Sequence, residues 1–273
     1  MDRLQIKYPI YIISKGRWET PLSARMFLKE KIPFTIAVEP QEYELYKKTI
    51  PVENIAVLPF SNLGLGSYPA RNWCWEDSIA KGFKNHFLFD DNIRQFYRLN
   101  NGKRKQCDAL TPLLTLQEFH DRYSNLAISG YNYLFFATKE TKVPFSINTH
   151  VYSGMLIRND IPYRWRLKYN EDVDLCLQAL HNKWATVLVN AFLIDKVSTT
   201  VKMKGGNQTE LYDGNSEAKT LLKSKSLEKA WPQYVSVVRR FKRFHHHVSW
   251  AKHFKHPLKR RSSKEAILNG ETT

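Results

Sequence analysis

The first 90 residues alternate short apolar runs with stretches whose apolar side chains recur every three or four residues. Short apolar runs predict buried strands, and a period of three or four predicts helices with one buried side. The predicted strands cover 8–13, 34–38, 55–59 and 86–89, and the predicted helices cover 20–31, 40–49 and 70–81. This alternation favours an α/β fold with a mixed, mostly parallel sheet and helices on both faces.

The middle of the chain has a more varied pattern. A hairpin is predicted over 94–106, because Asn100-Asn101-Gly102 at its centre favours a tight turn. Helices are predicted over 116–125 and 173–184, and strands over 131–136, 146–157 and 185–194. A polar, glycine-rich loop at 204–215 then marks the end of the core near residue 207.

The character of the chain changes after this loop. Residues 217–231 are helical and basic, and Pro232 is predicted to start a second helix with apolar side chains at spacings of three and four. Four basic side chains fall between the apolar ones: Arg239, Arg240, Lys242 and Arg243. A flexible basic tail is expected after Pro257, so that residues 208–273 form a basic helical C-terminal extension.

Charge adds a candidate partner to this picture. The 273 residues are 42% hydrophobic, which is enough for a core and excludes disorder for most of the chain. The formal net charge is +16, and residues from Lys196 onward carry 17 Lys and Arg against six Asp and Glu, a net +11. This asymmetry favours a polyanionic partner, most simply nucleic acid. The alternatives are a solvated basic face or attraction to anionic lipid.

Other protein classes find no support in the sequence. No apolar stretch approaches the roughly 20 residues of a membrane span, and the N-terminus lacks a secretory pattern. The three cysteines, Cys74, Cys107 and Cys176, are widely spaced and form no CxxC pair. Reduced thiols in a cytoplasmic protein are therefore expected, rather than a disulfide framework or a zinc module.

Asp90-Asp91-Asn92 follows directly on the predicted strand 86–89 and supplies only oxygen ligands. Hard cations such as Mg²⁺ or Mn²⁺ prefer oxygen and often join a protein to a diphosphate. The triplet therefore indicates a metal site for Asp90, Asp91 and Asn92. The alternative is an Asx turn that ends the strand.

Two further segments offer donors for a phosphate. Pro69-Ala70-Arg71-Asn72 opens a helix, whose N-terminus favours an anion, and Arg71 adds a fork of donors. Ser14-Lys15-Gly16-Arg17 follows the first strand with similar groups. The alternative for the first segment is a helix that begins at Pro with a surface Arg. Neither GxxxxGK[ST] nor GxGxxG occurs, which disfavours P-loop and Rossmann dinucleotide sites.

Glu171-Asp172 opens the predicted helix 173–184. Acidic residues at a helix start commonly act as caps and complement the helix dipole. The alternative is a general base at an active site.

Four motifs together resemble the TET-associated glycosyltransferase family, over roughly residues 8–207. They are Tyr11-Ile12-Ile13-Ser14-Lys15-Gly16-Arg17, Pro69-Ala70-Arg71-Asn72, Phe89-Asp90-Asp91-Asn92 and Tyr169-Asn170-Glu171-Asp172-Val173-Asp174, with Lys204-Gly205-Gly206-Asn207 at the end. That family consists of GT-A glycosyltransferases, is found largely in phages, and is linked to sugar addition on 5-hydroxymethylcytosine in DNA.

The resemblance implies a role for each motif. Asp90, Asp91 and Asn92 would be the DxD triplet for metal and diphosphate, with Asn in place of the last Asp. The donor UDP-sugar would be bound by Ser14, Lys15, Arg17, Arg71, Asn72, Asp90 and Asp91. Asp172 would be the catalytic base, with its neighbour Glu171 as the other candidate. Residues 1–92 would be the nucleotide-sugar half of the core and 93–207 the acceptor half.

The expected protein is therefore a phage-encoded enzyme of the host cytoplasm that glycosylates hydroxymethylated duplex DNA with Mn²⁺ or Mg²⁺. Arg239, Arg240, Lys242 and Arg243 are expected to bind the DNA on charge alone. The acceptor base would be flipped out, or reached in the major groove. Two rivals stay open: a GT-A enzyme that acts on a cell-envelope glycan, and a non-enzymatic nucleic-acid-binding module.

Overall fold

The computed structural model describes residues 5–197, 203, 205–206 and 217–262. Within this part of the chain, ten strands form one sheet and two more form a separate hairpin. The strands are β1 (Ile10–Ile13), β2 (Thr35–Val38), β3 (Ile55–Val57), β4 (Asn85–Asp90), β5 (Ile93–Asn100), β6 (Lys103–Cys107), β7 (Leu126–Tyr133), β8 (Phe145–Ile147), β9 (Met155–Arg158), β10 (Ala185–Lys196), β11 (Val235–Arg240) and β12 (Arg243–Val248).

Seven α-helices occur in the described residues: α1 (Leu22–Lys29), α2 (Tyr43–Tyr46), α3 (Tyr68–Ala80), α4 (Leu110–Asp121), α5 (Glu171–His181), α6 (Glu217–Ala230) and α7 (Trp250–His253). Two single 3₁₀ turns, at Pro40–Glu42 and Val52–Asn54, complete the elements. Within the predicted helix 40–49, the chain forms only the first of these turns and α2, and α4 begins and ends earlier than the predicted helix 116–125. No helix in the described residues is long and apolar enough to cross a membrane.

The large sheet has the order β3-β2-β1-β4-β9-β7-β10-β5-β6, with β8 paired to β10. The strands β3, β2, β1 and β4 are parallel, and β9 then runs antiparallel between β4 and β7. The predicted α/β class with a mixed sheet is confirmed. Because β9 lies beside β4, residues from 1–92 and from 93–207 contribute to a single continuous sheet.

Helices cover both faces of this sheet, as predicted. Along β1, Ile10 and Ile12 pack in one apolar cluster with side chains of α1 and α4, whereas Tyr11 packs in another with side chains of α3 and α5. This alternation follows from the period of two in a strand. The apolar run of β4 is buried on both sides in the same way. Because β1 and β4 are parallel neighbours, Ser14 and Asp91 meet beyond their carboxyl ends.

The C-terminal extension is only partly helical. Helix α6 matches the predicted helix 217–231, but the predicted second helix is wrong: its residues form the β11–β12 hairpin and the single turn of α7. Val235 and Val237 also follow a period of two, as do Phe244 and Val248, and β-branched residues favour strands. Val235 pairs with Val248, and Arg240 pairs with Arg243 around a two-residue turn.

The extension packs on helix α5. Val173, Leu177 and Leu180 of α5 share one apolar cluster with side chains of α6 and the hairpin, including Leu227 and Val248. The indole Nε1 of Trp231 donates to Asp174 Oδ1 at 2.7 Å. Asn170, which precedes α5, donates from Nδ2 to the carbonyl of Lys223 in α6 at 2.9 Å. The extension therefore supports the helix end that carries Glu171 and Asp172.

The described part of the segment that follows Pro257, residues 258–262, is tied to the core, whereas most of the expected flexible tail lies outside the described residues. The amide of Ser124 donates to the carbonyl of Lys259 at 2.8 Å, and the amide of Arg261 donates to the carbonyl of Arg122 at 2.9 Å. The described residues do not include Lys204 and Asn207 of the segment Lys204-Gly205-Gly206-Asn207, most of the predicted loop 204–215, or residues 263–273.

Candidate active site

A cavity of about 330 Å³ opens beyond the carboxyl ends of β1 and β4. The N-terminal ends of α3 and α5 also reach it, so that motifs distant in sequence share one space. From the predicted sites the cavity is lined by Ser14, Lys15, Arg17, Arg71, Asp90, Asp91, Asn92, Glu171 and Asp172. Ligands of α/β sheets bind in this position because strand ends and helix N-termini leave polar backbone groups there.

Asp91 lies at the floor of the cavity and is only 3% exposed. Its carboxylate accepts a hydrogen bond from Ser14 Oγ at 2.6 Å and forms an ion pair with the Arg17 guanidinium. Arg17 also donates to the carbonyl of Gly205 at 3.1 Å. Asp91 thus fixes Ser14 and Arg17 in place, and its removal would leave the buried Arg17 charge without this partner.

Asp90 faces the cavity between two cations. Arg71 NH2 donates to Asp90 Oδ1 at 2.7 Å, and Lys196 Nζ donates to Asp90 Oδ2 at 2.5 Å. Burial would raise the pKa of the Asp90 carboxyl, but the charges of Lys196 and Arg71 hold it well below its usual range. Burial would likewise lower the pKa of the Lys196 ammonium, but Asp90 raises it. All three groups are therefore charged at neutral pH.

Asn92 offers an unused acceptor. Its Nδ2 donates to the carbonyl of Val197 at 2.7 Å, whereas its buried Oδ1 has no hydrogen-bond partner among the described residues. Buried polar atoms normally have partners, so an orphaned oxygen beside a cavity is a candidate ligand atom. Asp90 lines the same cavity, so Asn92 Oδ1 and the Asp90 carboxylate could offer a cation only oxygen ligands.

The charge balance of the cavity also fits a cation. Four basic and five acidic side chains line the cavity, so its side chains alone give a diphosphate no net positive charge. A bound cation would supply it. The described residues contain no group of three or more His, Cys, Asp or Glu that could hold a metal. Mg²⁺ is commonly held by one or two carboxylates together with substrate phosphates. Asp90 and Asn92 are the candidates for that mode. Both Asp90 oxygens are paired with Arg71 and Lys196, as both Asp91 oxygens are with Ser14 and Arg17, but the Asp90 side chain is 18% exposed and that of Asp91 only 3%.

Gly205 and Gly206 pack directly against the turn that follows β1. A Cβ on Gly205 would lie 2.1 Å from the carbonyl oxygen of Gly16, and the amide of Gly206 donates to the carbonyl of Lys15 at 2.7 Å. Only glycine allows this approach, which accounts for the paired glycines at the end of the core. Lys15 Nζ donates to Glu39 Oε1 at 3.1 Å on the rim of the cavity.

The two predicted site residues at the N-terminal end of α3 have different surroundings. Arg71 lies in the cavity, where Ser67 Oγ accepts from its Nε at 3.1 Å and its guanidinium stacks over the Trp165 ring at 4.8 Å. Asn72 does not line the cavity. Its amide exchanges hydrogen bonds of 2.7 and 3.0 Å with the backbone of Trp165. In this structure Asn72 therefore holds the loop on which Arg71 stacks.

Glu171 and Asp172 occupy the first turn of α5 in different environments. Ser67 Oγ donates to Glu171 Oε1 at 2.7 Å, and burial raises the pKa of the Glu171 carboxyl against the opposing charge of Arg71. Burial would also raise the pKa of Asp172, but the charge of His150 and its hydrogen bond to Oδ2, at 3.0 Å, hold that pKa at about 2. Asp172 is thus held in its ionised form at neutral pH.

An aromatic wall extends from His150 through Tyr152, which lines the cavity. Tyr152 meets the His150 ring edge-on at 4.3 Å and stacks on Tyr133 at 4.7 Å. Phe136, which is 50% exposed, continues the wall at 5.4 Å from Tyr152. On the other side, Trp250 of the extension stacks on His150 at 6.1 Å. These rings offer a stacking surface for a planar, apolar ligand beside Asp172.

Comparison with known families decides the class of this site. The model of the TET-associated glycosyltransferases matches residues 8–206, which is most of the chain and includes every motif around the cavity. The chain belongs to the TET-associated glycosyltransferase family. A search of curated proteins gives no significant match.

Several residues of this glycosyltransferase site are absent from the predicted set. Lys196, His150 and Tyr152 belong to no recognised motif. The polar end of an apolar strand, Ile194-Asp195-Lys196, is a weak signal for Lys196, because strand ends point toward the same edge of the sheet. His150 and Tyr152 fall within the predicted strand 146–157, but that strand is interrupted: the two residues lie in a loop between β8 and β9, and only the fold brings them to Asp172.

The four basic residues predicted to bind DNA lie outside the cavity, around the tip of the glycosyltransferase's hairpin. All four are exposed. Arg239 forms an ion pair with Glu217 at 2.9 Å, whereas Arg240 and Arg243 face each other across the turn and Lys242 lies within it.

Proposed function

We propose that this glycosyltransferase moves a sugar from a UDP-sugar to the hydroxymethyl group of 5-hydroxymethylcytosine in DNA. The carrying observation is the layout of the cavity. An ionised carboxylate, Asp172, stands beside an aromatic wall, and the cations Arg71 and Lys196 lie around Asp90 in the same cavity. A base with a hydroxyl group suits the first environment, and a diphosphate suits the second.

The donor would lie over the N-terminal end of α3. Helix N-termini and arginine forks bind phosphate oxygens, and Lys196 adds a point charge. Asp90 and Asn92 would hold Mg²⁺ or Mn²⁺, which supplies charge that stabilises the leaving diphosphate. Arg17, fixed by Asp91, would set the position of the turn after β1 under the diphosphate.

The acceptor would lie against the aromatic wall. Asp172 takes the proton of the hydroxymethyl group while that oxygen forms a bond to the anomeric carbon. The bond between the anomeric carbon and the diphosphate breaks, and UDP leaves with that electron pair. His150 holds the Asp172 carboxylate through its hydrogen bond to Oδ2. Tyr152 and Phe136 would stack on the base, which is accessible to them once it leaves the duplex.

The hairpin would hold the DNA backbone through Arg240, Lys242 and Arg243. Changing these three residues to Gln should weaken binding to duplex DNA and reduce the slope of log Kd against log salt by roughly 0.9 for each lost phosphate contact. Fluorescence anisotropy at several salt concentrations measures both quantities. UDP-sugar binding should stay near that of the wild type, because the hairpin tip does not line the cavity.

Arg239 provides the matched control. Its charge is already paired with Glu217, so Arg239→Gln should change the salt slope less than any of the other three substitutions. An unchanged slope in the triple variant would contradict a DNA role for the hairpin. Loss of binding to anionic vesicles, with DNA binding intact, would instead support an enzyme that acts on envelope glycans.

A further inference from the structure

The turn at the tip of the β11–β12 hairpin has an unusual composition. Phe241 and Lys242 are its two central residues, and both have left-handed backbone angles, with φ values of 50° and 58°. A two-residue hairpin turn of this kind favours Asn-Gly, because most side chains are strained at positive φ. The hairpin β5–β6 of the same chain follows that preference with Asn101-Gly102. The Phe-Lys pair therefore departs from the favoured turn sequence, and the formation of the hairpin does not explain it.

Phe241 is also the most exposed large hydrophobic side chain in the described residues, at 89%. It stands within two residues of Arg239, Arg240, Lys242 and Arg243. Hydration of a bare aromatic ring is unfavourable, so a ring displayed among four cations indicates a ligand with both an apolar surface and negative charge. Stacked base pairs between two phosphate backbones have this combination.

The base of the hairpin is fixed next to the acceptor side of the cavity. Val248 packs against α5, Trp250 stacks on His150, and His246 is close enough to Asp172 and His150 for its pKa to respond to their charges. From His246 to Arg243 the strand extends by about 10 Å, and the Phe241-Lys242 turn lies just beyond it, so the tip is within half a helical turn of duplex DNA from His246. One bound duplex can thus meet Asp172 and the tip together.

We propose that Phe241 is a wedge that inserts between adjacent base pairs of duplex DNA, while Arg240, Lys242 and Arg243 hold the flanking phosphates. This inference rests on the DNA acceptor proposed above. Proteins that kink or open a duplex commonly insert an apolar side chain between base steps and surround it with basic residues. Unstacking at the tip would ease movement of the acceptor base out of the duplex toward the aromatic wall.

The test uses the full chain with a hydroxymethylated duplex that contains 2-aminopurine, without any sugar donor. The variant Phe241→Asn removes the ring and places a favoured residue in the turn, so that the hairpin is retained. We expect duplex binding about tenfold weaker than in the wild type, an unchanged salt slope, and loss of the rise in 2-aminopurine fluorescence that reports unstacking. Phe241→Trp should preserve binding and the fluorescence rise.

Leu222 gives the matched control, since it is 57% exposed on α6 of the same extension. Leu222→Asn should bind and unstack DNA as the wild type does. Wild-type affinity and fluorescence in Phe241→Asn would overturn the wedge. So would a loss confined to vesicles of phosphatidylglycerol and phosphatidylcholine, which would make Phe241 a membrane contact.

These outcomes are separate from those of sugar transfer. A protein that unstacks the duplex through Phe241 but transfers no sugar to hydroxymethylated DNA would contradict the proposed acceptor and support the wedge. Transfer by the wild type, with binding and unstacking unaffected in Phe241→Asn, would contradict only the wedge.

Discussion

Replacing Asp172 by Asn should lower the rate of sugar transfer by on the order of a hundredfold to ten-thousandfold, the usual cost of losing a general base. Asn keeps the size of the side chain and removes its capacity to take a proton. Affinity for donor and for DNA should stay near that of the wild type, because the carboxylate acts mainly in the transition state. Single-turnover rates and equilibrium binding measure the two effects separately.

The matched control is Glu171→Gln, which makes the same chemical change one residue earlier. His150 keeps Asp172 ionised, with a pKa at about 2, whereas burial raises the pKa of Glu171, so the pair of variants decides which carboxylate accepts the proton. Because Asp172 is ionised throughout the neutral pH range, its titration should cause no loss of the sugar-transfer rate there. Wild-type turnover in Asp172→Asn would refute the assignment, and loss only in Glu171→Gln would move the base to that residue.

Removal of divalent cations should have a comparable effect. With excess EDTA we expect turnover to fall by on the order of a hundredfold or more, and Mg²⁺ or Mn²⁺ should restore it, since charge on the leaving diphosphate must be neutralised. Asp90→Asn should raise the concentration of Mn²⁺ needed for half-maximal activity, because it removes the carboxylate that would hold the ion. Initial rates in a metal titration provide the measurement.

Asp195→Asn is the control for Asp90. Asp195 pairs with Arg94 at 2.9 Å outside the cavity, so the same loss of charge there should leave the metal requirement unchanged. Asp91 is less suited to this test, because the buried guanidinium of Arg17 pairs with it at the floor of the cavity. After Asp90→Asn the Arg71 guanidinium keeps an ion pair with Glu171 at 3.6 Å. Full activity in excess EDTA would contradict the metal proposal, and the side chains of Lys196 and Arg71 would then supply the positive charge.

Much of the parallel half of the sheet could be predicted from the sequence, because β1, β2 and β4 are short apolar runs in a regular alternation with helices. The hairpin β11–β12 could not be. Val235 and Val238 satisfy a helical spacing, whereas Val235 and Val237 satisfy that of a strand, and the choice depends on packing against α6 and α5. Local pattern alone does not contain that contact.

The same distinction between local pattern and long-range contact applies to the site. Asp90 and Arg71 lie in local motifs at an element end, where backbone geometry places polar groups predictably. The partners that set their chemistry come from far along the chain: Lys196 is 106 residues from Asp90, and His150 is 22 residues from Asp172. Asn72 belongs to a motif but is used by the backbone of Trp165. Contacts of this kind depend on how strands pair, which no single segment specifies.

The most direct test of the proposed function is mass spectrometry of hydroxymethylated duplex DNA after incubation with the protein, Mn²⁺ and each of several UDP-sugars. We predict that one donor increases the mass of 5-hydroxymethylcytosine by a single sugar residue, and that unmodified cytosine is unchanged. Release of UDP without any modified nucleoside, for every donor tested, would contradict a DNA acceptor.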